Sequence, residues 1–405
     1  MVLGLNYAPE PVGIGPYTTG LAEFFAARGD TVEVVAGEAY YPQWSRYADQ
    51  PRNGTRHEGN GVGITRVAHF IPPSPSGLKR MLHLASFSLT SLLPSARAAR
   101  RIKADLVFTV APSLLSVPVA WIAAKASGAK LWVHVQDFEV EAAMATGLLK
   151  PGGTASKVGN WLESRILKLA DMASTISPQM CLKLREKGLA PEAIYELRNW
   201  ANAEFATDQA EADAYRAQWG IGNRHVALYS GNIANKQGIE IIIEAAQLLR
   251  DRKDLVFVIC GQGPNRARLA ELSEGLDNVQ LHDLQPFERM GGLLGLASLH
   301  LLPQIPGAAD LVLPSKLTNM LISGRPVVAT AAPDTGLASE VEGCGAVTPP
   351  GDAEAFANAI AALLDDTHER QRLGTAAAQR AEERWQKPTI LSRLSQRFDG
   401  LLANA

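Results

Sequence analysis

The chain has 405 residues, enough for two or three domains that each bury a full core. Its composition is that of an ordinary globular protein, and a formal net charge of -2 argues against a nucleic-acid partner. The three cysteines, Cys181, Cys260 and Cys344, show neither metal-ligand spacing nor pairing logic, no signal peptide is visible and no apolar run could span a bilayer, so a reducing, cytoplasmic location is expected.

The first strand, Val2 to Leu5, begins almost at once, which leaves open whether residues precede Met1. The loop N-Y-A-P-E-P-V-G-I-G leads into an amphipathic helix from about Pro16 to Arg28, and T-V-E-V-V gives the next strand. This βαβ opening predicts a parallel sheet with right-handed crossovers. Gly13 and Gly15 precede the helix, where glycine lets backbone approach a ligand; a structural turn is an equal reading, since no third glycine completes a dinucleotide fingerprint.

From Gly59 to Ala104 there is no acidic residue. Lys79, Arg80, Arg97, Arg100, Arg101 and Lys103 surround the apolar helical run M-L-H-L-A-S-F-S-L-T-S-L-L. Basic flanks beside an apolar face suit an anionic membrane surface; a core helix with solvated ends is the alternative. Next come D-L-V-F-T-V, a helix from Val117 to Ala126, and the strand K-L-W-V-H-V, which runs into Q-D-F-E-V-E-A-A. Ligands of open parallel sheets bind beyond the carboxyl ends of the strands, so His134, Asp137 and Glu139 are expected in a crevice with at least one touching a substrate; a satisfied structural role for each is the alternative. D-M-A-S-T-I-S and A-I-Y-E-L-R-N-W supply two more strands.

A polar helical segment, Ala203 to Gly222, separates this half from a fresh α/β series. The strand V-A-L-Y-S runs into G-N-I-A-N-K-Q-G, where Gly231 permits close approach and Lys236 can point at a crevice. L-V-F-V-I-C runs into G-Q-G-P, so Gly261 and Gly263 repeat the theme, and N-V-Q-L-H-D-L ends at Leu284. The stretch Asp310 to Thr330 reads as loop, helix, Gly324 stop and the strand Val327 to Ala329. Ser315 and Lys316 occupy the first turn of its helix, where a hydroxyl, a cation and free N–H groups suit a diphosphate; an ordinary αβ unit with a solvated lysine is the alternative. Three glycine, lysine or helix-start loops at the carboxyl ends of one sheet point together to a phosphate-bearing nucleotide. The last helix runs from about Pro388 to Leu402.

The stretches N-Y-A-P-E-P-V-G-I-G-P-Y-T, Y-Y-P-Q-W, H-V-Q-D-F-E-V-E-A-A, R-N-W, Y-S-G-N-I-A-N-K-Q-G and A-A-D-L-V-L-P-S-K-L-T-N-M-L-I-S-G-R-P-V-V-A-T resemble those of family 4 of the GT-B glycosyltransferases, in its colanic-acid-biosynthesis branch, nearly end to end. The resemblance implies an α/β fold of two Rossmann-like lobes with parallel sheets facing across a cleft. It implies an acceptor lobe over 1–202, a nucleotide-sugar lobe over 203–385, and a final helix, 386–405, returning to the first lobe. It implies retaining transfer from a nucleotide-diphosphate sugar to a lipid-linked or oligosaccharide acceptor, with no cofactor and no obligatory metal. The enzyme would sit peripherally on the inner face of the cytoplasmic membrane.

Carried over, the resemblance makes Lys236 the lysine that holds the donor diphosphate, with Gly13 and Gly15 facing the same group. Where relatives often carry Arg after the glycine of the Gly231 loop, this chain has Asn232. Leu284 falls where the nucleobase edge packs. The family's Glu-x7-Glu motif is not intact: its second position is Asn319, and Asp310 is the nearest carboxylate to its first. Ser315 and Lys316 would take over part of the phosphate work, Asp310 would support the oxocarbenium-like sugar, and Asp137 and His134 would orient the acceptor hydroxyl. Two alternatives stay open: a GT-B sugar-nucleotide epimerase, which would use the same crevice for isomerisation, and a catalytically dead nucleotide-binding scaffold, which the altered motif keeps open. The donor's sugar and base, the acceptor and the oligomeric state are not written in the sequence.

Overall fold

The structure is a computed structural model that describes all residues except 12, 49–52, 74–76, 112, 141–143, 145–149, 151, 202–206, 234–236, 306–314 and 404–405, together with the side chains of Phe287 and Ser315. The chain divides into two compact units, Met1–Asn199 with Leu391–Ala405, and Trp200–Ile390.

The first unit is built on a sheet of eight strands: β1 (Val2–Gly4), β2 (Val32–Gly37), β3 (Arg56–Gly59), β4 (Val62–Val67), β5 (Leu106–Ala111), β6 (Lys130–Val135), β7 (Met172–Thr175) and β8 (Ile194–Glu196). Their order is β3-β4-β2-β1-β5-β6-β7-β8, parallel except that β3 runs antiparallel to β4. The β3–β4 hairpin is not among the strands expected above, although Asn60-Gly61 at its tip is a strong turn signal; both residues have positive φ, 51° and 76°. The apolar runs of β2 and β5 are buried because a parallel sheet is covered on both faces.

The helices are α1 (Gly15–Ala27), α2 (Gly77–Ile102), α3 (Ser116–Ser127), α4 (Thr154–Leu167) and α5 (Pro178–Glu186). From β4 through β7 the chain steps in one direction along the sheet, whereas β1 to β2 steps the other way. Right-handed crossovers therefore put α2, α3 and α4 on one face and α1 on the other. The core follows that division. Phe87, Ala98, Ala120, Ala124 and Ile166 pack with Leu3, Val107 and Val133 on the first face. On the second, Phe398 stacks on Phe25 of α1, with ring centroids 5.1 Å apart, and meets Trp132 edge-on at 4.9 Å. Phe398 belongs to α14 (Lys387–Ala403), the last helix, which Arg28 also ties to this unit through Asp399 at 3.2 Å.

The second unit has six parallel strands, β9 (His225–Ser230), β10 (Leu255–Cys260), β11 (Val279–His282), β12 (Leu299–Leu302), β13 (Val327–Thr330) and β14 (Gly345–Thr348), in the order β11-β10-β9-β12-β13-β14. Its helices are α6 (Gln209–Gln218), α7 (Glu240–Leu248), α8 (Arg266–Leu272), α9 (Met290–Leu296), α10 (Ser315–Ile322), α11 (Gly336–Val341), α12 (Ala353–Asp365) and α13 (Thr367–Trp385). Leu317, Met320 and Leu321 anchor α10 in an apolar cluster with Val327 and Leu337, which sets the start of that helix at the carboxyl edge of the sheet.

Candidate active site

In the second unit the carboxyl ends of β9 and β10 lie against each other through glycine. A methyl group at Gly261 would collide with the Gly231 carbonyl, and one at Gly263 with the Ile233 carbonyl. Both glycines are thus required by the packing of one loop on the next, whatever they do for a ligand. Gly231 has φ 144°, and a Cβ there would lie 2.8 Å from Lys316 Cε, so the Lys316 side chain crosses directly over this glycine.

Lys316 is half-buried and held in place. Its Nζ donates to the Tyr229 hydroxyl at 2.5 Å and to Gln237 Oε1 at 3.2 Å, and it lies 4.4 Å from the centroid of the Tyr229 ring. The Tyr229 hydroxyl in turn donates to the Asn232 carbonyl at 2.7 Å. Burial raises the Tyr229 pKa well above the usual phenol value, so it stays a neutral donor and acceptor. Helix α10 and the Gly231–Asn232 loop therefore form one assembly around a fixed cation. The sequence put Lys316 here but not Tyr229 or Gln237, its partners.

Asn319 is half-buried on α10, one turn beyond Lys316, and Asn232 is exposed. Leu284 is 60% exposed beyond β11, next to a rim that Arg266 knits together by donating to the Gly261 and His282 carbonyls and pairing with Asp283 at 2.8 Å. An exposed leucine on a rigid rim is available to pack a flat ring. Lys236 and Asp310 lie outside the described residues, as does the side chain of Ser315, the first residue of α10.

In the first unit the corresponding edge is rimmed by the loops after β1, β2, β4 and β6. Gly13 is exposed beside Tyr41, and Gly15 is the buried first residue of α1, packed on Glu10. Glu10 is itself buried; it accepts from the backbone N–H groups of Tyr40 and Tyr41 at 2.9 and 3.0 Å, locking the first loop to the second. Trp44 has a left-handed φ of 53°, uncommon for a bulky residue, and its ring stands 5.2 Å from Tyr40 and 5.5 Å from His83. The Y-Y-P-Q-W stretch thus builds an aromatic wall, which its spacing alone did not reveal.

Asp137 reaches solvent beyond β6; crowding by protein raises its carboxyl pKa, against an opposing effect of Arg80. Glu139 accepts from Leu114 N–H at 2.8 Å, and burial pushes its carboxyl up to about 7. His134 departs from the expectation. It lies within β6, not beyond it, and is buried, its Nδ1 3.0 Å from Ser174 Oγ and its Nε2 3.0 Å from Gln136 Nε2. Desolvation lowers its pKa to about 3, so the ring is neutral and both its nitrogens are committed inside the protein. What it orients is Gln136, which exchanges hydrogen bonds with Asn199 at 2.8 and 2.9 Å. Among the described residues no cluster of His, Cys, Asp and Glu could hold a metal ion.

Residues 12–200 match the Glycosyl transferase 4-like domain and residues 224–366 match Glycosyl transferases group 1. WcaI of Escherichia coli (strain K12), named as a colanic acid biosynthesis glycosyl transferase, is 39% identical over 96% of this chain and 97% of its own. Among solved structures, the sucrose-phosphate synthase of Thermosynechococcus elongatus superposes with a TM-score of 0.71 at 19% identity, covering 100% of this chain and 99% of that one. Anabaena Alr3699/HepE in complex with UDP gives 0.68 at 16% identity, covering 98% and 99%. Two α/β units with parallel sheets, shared along the full length with these proteins, are the GT-B fold.

Proposed function

The chain belongs to the family 4 glycosyltransferases, and from that premise we propose that it moves a sugar, with retention, from a nucleotide diphosphate to a lipid-linked saccharide in the synthesis of an exopolysaccharide of the colanic-acid type. The observation that carries the donor half is Lys316, a cation pinned over Gly231 by Tyr229 and Gln237 at the carboxyl end of β9.

The bond between the anomeric carbon and the β-phosphate oxygen breaks, and negative charge collects on the departing diphosphate. Lys316, Lys236 and the N–H groups at the start of α10 stabilise that charge as it forms, which lowers the barrier more than it tightens ground-state binding. The acceptor oxygen attacks from the leaving-group face, its proton passes to a phosphate oxygen, and a nucleoside diphosphate departs. This route needs no protein nucleophile, metal or cofactor. Asp310 supports the oxocarbenium-like sugar. Asp137 and the Tyr41–Trp44 wall meet the acceptor; His134 contributes only by fixing Gln136. Asn319 and Leu284 hold the ribose and base.

A lipid-linked acceptor places the enzyme at the cytoplasmic membrane face, with the acid-free stretch 79–103 against it. Two of its cations are already engaged, since Arg101 pairs with Glu33 at 2.6 Å and Arg100 donates to the Ala126 carbonyl. A thermal-shift screen of sugar nucleotides tests the donor half. One class of nucleoside diphosphate sugar should raise the midpoint, and the rise should be smaller, not absent, in Lys316→Ala. A screen in which none raises it would overturn the donor assignment.

A further inference from the structure

Helix α2 is turned inside out relative to an ordinary amphipathic helix. Its buried stripe is His83, Phe87, Ser88, Ser91, Ser95, Ala98 and Ala99, whereas Leu78, Met81, Leu82, Leu89 and Leu93 are all more than half exposed. The inversion continues on its neighbours. Trp121 and Ile122 stand out from α3, and Val158, Trp161 and Leu162 from α4. Of the eighteen exposed large hydrophobic residues among those described, twelve lie on these helices or at the start of α3. The three helices share one face of the sheet, so the residues belong to one layer. Apolar exposure concentrated on one layer marks a surface that water does not cover in use.

Charge identifies what covers it. The only carboxylate on the three helices is Glu163, which is buried and paired with Lys187. The exposed charges there are all cations, and two of them lie over the exposed indoles: Lys125 Nζ is 5.9 Å from the Trp121 ring centroid and Arg165 Cζ 5.6 Å from that of Trp161. Leucines beside tryptophans that carry cations match the boundary of an anionic bilayer, where acyl chains take the apolar groups, headgroups take the cations and indole bridges the two. No helix among the described residues is long and apolar enough to cross a membrane, so the layer would lie on it.

We propose that the outer layer of the first unit, α2, α3 and α4 together, is a lipid-binding face that inserts shallowly into an anionic membrane, with Trp121 and Trp161 as its interfacial anchors. This rests on the reading of a lipid-linked acceptor but assigns the contact to three helices, two of them outside the basic stretch 79–103.

The test is flotation of the full chain with vesicles of phosphatidylcholine alone or mixed with phosphatidylglycerol, for wild type, Trp121→Ala/Trp161→Ala and Leu89→Gln/Leu93→Gln. Wild type should partition onto the mixed vesicles and much less onto the neutral ones, and each double variant should bind at least about tenfold more weakly. Sugar-nucleotide thermal shifts, which report on the second unit, should be the same in all three. Loss confined to the leucine variant would overturn the three-helix face and leave only α2. Vesicle binding unaffected by either variant, or none at all, would overturn the proposal, while an intact thermal shift would leave the transferase reading standing. Self-association of the wild type, abolished in both variants without lipid, would assign the layer to a second copy and also overturn it.

Discussion

Helix α2 of the first unit buries Ser91, Ser95 and Ala98 and exposes Leu89 and Leu93; helix α13 of the second buries Leu373, Ala377 and Trp385 and exposes Arg372, Glu382 and Glu383. Both belong to units with mainly parallel sheets covered by helices, so the sheet does not dictate the outer surface. Among the described residues of the second unit, only Leu248, Leu272, Leu284 and Ile305 are exposed large hydrophobics. One architecture thus carries two surfaces, one apolar and cationic and one polar with charges of both signs, whose strand edge holds a fixed lysine. Keeping the fold and varying what stands on it lets one scaffold present different surfaces.

If the chemistry belongs to the second unit, its largest effect should appear at the pinned cation. Lys316→Ala should lower kcat by about 10² or more with little change in the thermal midpoint, and Lys236→Ala should behave alike. Near-normal turnover in either variant removes that lysine from the mechanism. Gly261→Ala drives a methyl into the Gly231 carbonyl and should cost about 2–3 kcal/mol in denaturant unfolding. An unchanged midpoint would mean that the two loops part easily and do not form a rigid site.

The first unit should show itself in pH dependence. The Glu139 carboxyl is raised by burial from 4.5 to about 7. In that window the folded chain keeps a proton that the unfolded chain has released, so stability falls as pH rises from about 4.5 to about 7. Glu139→Gln should therefore equal wild type near pH 4 and exceed it by roughly 1–2 kcal/mol near pH 8. Stability curves that stay parallel across this range would place the carboxyl in a more solvated setting. The smallest effect is expected at Asn319: Asn319→Ala should raise the donor KM several-fold, about 1 kcal/mol, with kcat nearly unchanged. A change in kcat alone would mean that Asn319 acts on the reacting centre and not on the ribose.

Much of this was legible in the chain itself. Apolar strands alternating with helices gave both sheets, because a parallel sheet buried on two faces forces runs such as L-V-F-V-I-C. Lys316 was legible because Gly324 and Val327–Ala329 fix the helix before it. His134 was misplaced because a histidine one residue inside a strand end reads like one just beyond it; only the register with Ser174 on β7 shows that it points into the protein. The Tyr229 clamp and the aromatic wall at Trp44 join residues far apart in sequence or set by an unusual φ, which spacing does not encode. In α2 the apolar run was visible, but which side faced out was not, since leucine and serine both fit a helix; Phe87 and Leu84 pack on the core, whereas Leu78, Leu82, Leu89 and Leu93 face outward.

Release of nucleoside diphosphate from the sugar nucleotide that stabilises the chain, measured with and without a lipid-linked saccharide acceptor, tests the central claim. Acceptor-dependent release with one sugar transferred per nucleotide, lost in Lys316→Ala, is the expected result. A sugar nucleotide that is bound but only isomerised, or is left intact whatever acceptor is present, would contradict it.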